Sequence, residues 1–308
     1  MSLVDSAIVR LLPAVPKQVV RRISERYIAG EELDDALRVV LRLNAEGKLG
    51  TLDVLGEEVT ERDEARAIAG AYREAIDAFA RGRLDSNISV KPTALGLNLS
   101  YELCRENLLD VVRHAGELDN FVRIDMEDSS TTDDTLRLYR ELRESGHDNL
   151  GIVLQARLKR TLDDVRGLTE LRPNVRVCKG IYLEPPEIAF RDFDAVQASF
   201  VQTLKELLDG GSYVGIATHD EWLLEQGKRL VASHGLGRDD YEFQMLLGVR
   251  ATLGDELVRE GHRLRIYTPF GRQWYSYSLR RLQENPKIAG YIASDTFNRL
   301  LPGRNGSS

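Results

Sequence analysis

The sequence predicts an α/β protein built as a closed (βα)8 TIM-like barrel, with helices before it and a further helix over its mouth. Three observations carry this. Eight short apolar or alternating runs recur along the chain, longer helical patterns separate them, and no G-x-G-x-x-G follows any of the runs. The last point weighs against an open doubly wound sheet, which binds its cofactor at a glycine-rich turn between strand and helix.

The elements follow in order. Residues 1–48 hold no convincing strand and read as a helical lead-in. Within it EELDDALRVVLRLNAEG places Leu33, Leu37, Val40 and Leu41 at helical spacing and stops at Gly47, a suitable C-terminal cap. The eight strands begin with TLDVL at 51, ISVKP at 88, FVRIDM at 121 and GIVLQ at 151. They continue with VRVCK at 175, YVGIAT at 213, EFQML at 242 and RLRIY at 263. Between the first two, Thr60 is the expected N-cap of a helix with Ile68, Tyr72, Ile76 and Phe79 on one face. The barrel domain is expected over 49–300, with one more helical stretch in the segment that begins at GRQWYSYSLRRLQEN, and 301–308 as a polar tail.

Composition bounds the function. A chain of 308 residues that is 42% hydrophobic can bury one large core. Its net charge of -7 and the absence of a long Lys/Arg run argue against a nucleic-acid partner, since neutralising phosphate needs a basic surface. Cys104 and Cys178 are too few for a disulfide framework or a four-ligand zinc site, and a reducing compartment, the cytoplasm, is expected. His114, His147, His234 and His262 lack ligand spacing, so no metal is expected. Trp222 and Trp274 read as packing residues, with Trp274 placed to help cover the mouth. No run approaches the ~18 apolar residues of a spanning helix.

The chemistry is expected inside the barrel. In FVRIDME, Val122, Ile124 and Met126 share one face while Arg123, Asp125 and Glu127 share the other. A barrel strand is apolar toward its helices, so Asp125 points inward near the strand's C-terminal end, where barrel enzymes carry their sites. The same parity turns Ser89, Lys91, Arg176, Glu242, Gln244, Arg265 and Tyr267 inward. Charges brought together there require mutual pairing, a charged ligand, or both. Arg280 and Arg281 stand three to four residues before Glu284. On a surface helix that is an intrahelical pair worth ~0.3–0.5 kcal/mol. On a helix across the mouth, it is two guanidiniums suited to a small carboxylate.

Taken in order, LDVLGE (52–57), SVKPTALGL (89–97), RIDMEDS (123–129), VLQARLKR (153–160), VRVCKGIYLEPPE (175–187), IATHD (216–220), YEFQMLLGVR (241–250) and RIYTPFG followed by YSYSLRRLQEN resemble the proline dehydrogenase family, both its free-standing bacterial members and the corresponding domain of proline utilisation proteins. The resemblance covers about 51–286. It implies FAD-dependent oxidation of L-proline to 1-pyrroline-5-carboxylate, the first step of proline catabolism, by hydride transfer from proline C5 to flavin N5. It implies that Lys91, Arg280 and Arg281 hold the substrate carboxylate, with Asp125 close to substrate and flavin and Glu284 orienting the Arg pair. Tyr267, Tyr277, Leu246 and Tyr182 are implied to line the proline pocket. Met126, Gln155, Arg176, Lys179, Gly180, Ile181, Thr218 and His219 are implied to contact FAD, with Arg176 stabilising the reduced flavin. Asp125, Arg176 and Tyr267 are thus the expected catalytic set.

The implied electron acceptor is a membrane quinone, which implies peripheral contact with the inner face of the membrane. The product is expected to pass to a separate pyrroline-5-carboxylate dehydrogenase. Two readings from other classes stay open: a barrel lyase or aldolase in which Lys91 or Lys179 forms a Schiff base, and a non-enzymatic scaffold.

Overall fold

A computed structural model describes residues 20, 21, 24, 26–56, 59–275 and 277–279. Eight parallel strands close on themselves in sequence order, β1 pairing with both β2 and β8. The strands are β1 (Leu49–Val54), β2 (Ser86–Val90), β3 (Val122–Ile124), β4 (Leu150–Gln155), β5 (Asn174–Cys178), β6 (Tyr213–Ala217), β7 (Tyr241–Leu246) and β8 (Leu264–Phe270). A helix α1 (Leu33–Ala45) precedes the barrel. Between strands lie α2 (Arg62–Gly82), α3 (Tyr101–Glu117), α4 (Thr132–Glu144), α5 (Thr161–Leu168), α6 (Phe193–Asp209), α7 (Glu221–Ser233) and α8 (Ala251–Arg259). The expected barrel is therefore the observed one, with most strands starting one or two residues earlier than the apolar runs suggest. Among the described residues, no helix is long and apolar enough to cross a membrane.

Strand parity explains the layers. Ile88, Val90, Val122, Ile124, Val175, Val177, Val214 and Ile216 are fully buried against the helices, while the alternate residues fill the barrel. Three local expectations are corrected. Glu61, not Thr60, is the N-cap of α2, and the Glu64 side chain accepts from the backbone N–H of both Thr60 and Glu61. Leu41 is 60% exposed, because Ala36, Val40 and Leu43 already fill the buried stripe of α1. Trp222 stands half exposed in the first turn of α7, whereas Trp274 is buried with Val20, Ile28, Leu55 and Tyr277.

The barrel interior is charged, which demands room and partners. Two glycines give the room: a Cβ on Gly151 would meet Arg123 Nη1, and one on Gly215 would lie 2.5 Å from Gln244 Nε2. Toward the N-terminal end, Arg123 donates to the carbonyls of Ile152 and Asn174, at 3.2 and 2.7 Å. Burial and the neighbouring Arg176 push Arg123 down to about 9, so it remains a cation at neutral pH. Arg265 donates to Glu242 Oε1 and the Gly50 carbonyl, at 2.8 and 2.7 Å. Burial opposes the charge on Glu242, but Arg265 and then Arg123 outweigh it and bring its carboxyl down from 4.5 to about 2.

Protonation of Glu242 should cost the fold stability in acid. A depressed carboxyl stabilises the fold fully above its unfolded value, and this contribution is lost as pH falls from 4.5 toward about 2. At ~1.4 kcal/mol per unit, it amounts to ~3 kcal/mol. Glu242→Gln should therefore flatten the fall in unfolding free energy over that window, measured by urea titration at several pH values. An unchanged acid limb would mean that other carboxylates govern it.

Candidate active site

The site stands at the C-terminal ends of the strands. Lys91 and Asp125 are the first residues beyond β2 and β3, Arg176 lies within β5, and Tyr267 within β8. Asp125 is the hub. Its Oδ1 accepts from Ser89 Oγ at 2.6 Å and Arg176 Nη1 at 2.8 Å; its Oδ2 accepts from Tyr267 OH at 2.8 Å, with Lys91 Nζ at 3.8 Å. Lys91 donates to Tyr267 OH at 3.1 Å, and the Arg176 guanidinium lies 5.2 Å from the Tyr267 ring centroid. Four residues expected at the site thus converge, although Tyr267 and Asp125 are 142 positions apart.

Asp53 joins them unexpectedly. It is fully buried, and its Oδ2 accepts from Lys91 Nζ at 2.6 Å. Tyr72 of α2 donates to Asp53 Oδ1 at 3.3 Å and accepts from the Val54 N–H, so the helix outside the barrel fixes a carboxylate inside it. Parity within TLDVL, which turns Thr51 and Asp53 inward, was the signal that could have found it. Burial raises the Tyr72 phenol well above its usual range, so it stays a donor.

Electrostatics then divide the roles. Burial opposes ionisation of Asp125, yet Arg176 and Lys91 together hold its carboxyl below the usual range. Burial, followed by the charges of Asp125 and Asp53, pushes the Tyr267 phenol far upward, and it donates at all accessible pH. The cluster therefore presents an anion, two cations and a neutral donor to whatever occupies the mouth.

The other expected residues form the rim. Gln155 donates through Nε2 to the Glu127 carbonyl at 2.6 Å, beside the Gly180 turn, and Met126 is buried next to Asp125 in sequence. Thr218 Oγ1 accepts from the Asp220 N–H, and His219 Nε2 accepts from the Leu246 N–H at 3.0 Å, which ties the His219 ring to the end of β7. Lys179 is drawn to Asp220 at 2.5 Å and lies over the Phe193 ring. The Tyr182 carbonyl accepts from Arg157, and Ile181 is 40% exposed. Tyr277 lies near enough to Tyr267 to add to the rise of its phenol. Arg280, Arg281 and Glu284 lie outside the described residues.

The sequence profile of the family described as proline dehydrogenase matches residues 36–293. The chain is 39% identical over 269 residues to proline dehydrogenase 1 of Bacillus subtilis subsp. natto, covering 87% of this chain and 89% of that protein. It is 36% identical over 280 residues to proline dehydrogenase of Deinococcus radiodurans, covering 90% of each. Among solved structures, proline utilization A from Bdellovibrio bacteriovorus, inactivated by N-propargylglycine, superposes with a TM-score of 0.80 at 25% identity, over 89% of this chain and 34% of that one. With a barrel of this topology, a charged cluster at its C-terminal mouth and relatives matched along almost their whole length, the chain belongs to the proline dehydrogenase family.

Proposed function

We propose that this protein oxidises L-proline to 1-pyrroline-5-carboxylate, the first step of proline catabolism, with FAD as hydride acceptor and a membrane quinone as the final oxidant. The observation that carries the reading is the Asp125 hub, which sets Lys91, Arg176 and Tyr267 around one opening. Bound FAD supplies the two-electron acceptor that no protein side chain can provide for the hydride leaving C5. Each other part of the task falls to the chain's own residues.

Lys91, with Arg280 and Arg281, binds the substrate carboxylate. Holding one end of a small rigid ring fixes the direction of C5 and makes the transfer effectively unimolecular. Tyr267, Tyr277, Leu246 and Tyr182 enclose the ring. Asp125, kept ionised by Arg176 and Lys91, is too weak a base to take a proton from an ammonium group. Its role is to orient the amine, which loses its proton to solvent before binding. Arg176 places a fixed positive charge where negative charge develops during the transfer.

The residues present fit a flavin. Met126, Gln155, Arg176, Lys179, Gly180, Ile181, Thr218 and His219 would hold it. The Gly180 turn is a cradle that a side chain would fill: its φ is +92°, and an added Cβ would come within 2.7 Å of Gln155 Oε1. Gln155 is tethered to the Glu127 carbonyl and cannot easily give way. Gly180→Ala should therefore cost ~1–3 kcal/mol of local strain. It should weaken FAD binding by about 10-fold or more, read by fluorescence titration of the apoprotein. Parental affinity in that variant would show that the turn does not contact the cofactor.

The lyase reading fares less well. Lys91 and Lys179 are each ion-paired to a carboxylate, at 2.6 and 2.5 Å, unlike the apolar or cationic surroundings in which lysine attacks carbonyls. The direct test is the visible spectrum before and after anaerobic L-proline. Flavin bands that bleach support the reading; bands that persist remove proline as substrate; a colourless protein that cannot be reconstituted with FAD overturns the reading. Arg176→Ala should reduce turnover and flavin affinity together, and retention of both would remove its assigned role.

A further inference from the structure

Beneath the site, a chain of polar contacts descends through the barrel from Arg176. Its Nε donates to Gln244 Oε1, while its Nη1 donates to Asp125 Oδ1 and Ser89 Oγ at 2.8 and 3.0 Å. Gln244 Nε2 donates to Glu242 Oε1 at 2.5 Å, and the same oxygen accepts from Arg265 Nε. Glu242 Oε2 accepts from Tyr213 OH at 3.2 Å. All four polar side chains of the descending line, Arg176, Gln244, Glu242 and Arg265, are buried.

The direction of each bond in this line is forced. A glutamine amide carries an acceptor at one end and donors at the other. If the Gln244 amide turned over, its NH2 would face a guanidinium that can only donate, and its oxygen would face a carboxylate that can only accept. The ionised Glu242 excludes that state, and Gly215 leaves space for the amide where any Cβ would collide with Nε2. Neither Gln244 nor Glu242 reaches the mouth in the way that Asp125 or Lys91 does, so their influence passes through Arg176.

We propose that Gln244 and Glu242 are positioning residues for the reaction: Glu242 fixes the polarity of the Gln244 amide, and Gln244 fixes the plane of the Arg176 guanidinium so that its charge meets Asp125 and the reacting face. The inference rests on the proposed role of Arg176. It adds that this role is set from below, by two side chains on β7.

The test uses the FAD-loaded protein and three variants. Gln244→Met removes the acceptor under Arg176 while leaving the Glu242–Arg265 pair in place. It should lower kcat by about 10- to 100-fold, with KM for L-proline changed by less than about 3-fold. The flavin midpoint potential should also move to a more negative value, because a loosened Arg176 stabilises the reduced form less. Glu242→Gln should produce the same pattern in weaker form. The double variant Glu242→Gln/Gln244→Glu keeps an acceptor under Arg176 Nε, with the bond between the two side chains reversed so that the amide introduced at position 242 donates to the carboxylate introduced at position 244. It should recover kcat to within about 3-fold of the parent and return the potential toward the parental value, at a cost in melting temperature because Arg265 loses its carboxylate.

A purely structural network would lower the melting temperature of Gln244→Met with kcat and potential unmoved, and that result overturns the proposal. If Gln244→Met fails to fold, an exchange variant no faster than Glu242→Gln alone overturns it equally. The two levels separate cleanly: if Arg176→Ala is harmless, the reading of the site fails, whereas a damaging Arg176→Ala beside a harmless Gln244→Met defeats only the positioning proposal.

Discussion

Asp125→Ala is expected to lower kcat/KM for L-proline by about 1,000-fold and to lower the melting temperature as well. The carboxylate accepts from Ser89, Arg176 and Tyr267 and faces Lys91 at 3.8 Å. Removing it takes from the buried Arg176 the carboxylate it pairs with, while Lys91 keeps Asp53, and breaking a buried pair from one side costs ~3–5 kcal/mol. Expressed in the transition state, ~4 kcal/mol corresponds to about three orders of magnitude in rate. Asp125→Asn separates shape from charge: an amide can still accept from Arg176 and meet the Tyr267 hydroxyl, so stability should stay nearer the parent while kcat/KM remains depressed. Steady-state kinetics and thermal melts in one buffer decide the matter, and a kcat/KM for Asp125→Ala within about 3-fold of the parent would exclude Asp125 from the reaction. The same depression of its carboxyl means that the pH profile of kcat/KM should show no limb from Asp125 above about pH 5.

The second large effect is expected at Lys91. Lys91→Met keeps the length of the side chain and removes the ammonium, so the substrate carboxylate loses a charge-assisted bond worth ~1.5–3 kcal/mol and KM should rise by about 10- to 100-fold. Stability should fall too, because Asp53, fully buried and 2.6 Å from the ammonium, loses the cation beside it. The double variant Lys91→Met/Asp53→Asn distinguishes the two losses. It should recover much of the melting temperature, since no uncompensated carboxylate is left, while KM stays high. Recovery of both together would make Lys91 a structural cation and leave carboxylate binding to other residues.

How far the sequence reaches can be judged from these residues. Alternation in FVRIDM and its counterparts assigned Asp125, Lys91, Arg176 and Tyr267 to the inside of the barrel, because in a strand the side-chain direction depends only on position parity. The same rule applied to TLDVL turns Asp53 inward, but its importance is invisible until Lys91, 38 positions later, is placed against it. Gln244 and Glu242 were likewise assigned to the inner face, yet nothing local reveals that one orients the other or that both bear on Arg176. Trp222 and Leu41 show the complementary failure: an apolar residue is read as packing, and only the finished packing shows that its place was already filled.

The sequence by itself determined the eight-stranded barrel, the face that each strand turns inward and the family to which the motifs belong, since period, spacing and motif order are properties of the chain read along its length. Tertiary structure alone decided the partners: which carboxylate neutralises Lys91, which way the Gln244 amide points, and how charges from five strands balance inside one core. Those depend on closure of the barrel, which brings residues as far apart as Gly50 and Arg265, 215 positions, within hydrogen-bonding distance, and on burial, which makes each unmatched charge costly enough that the pairing is selective.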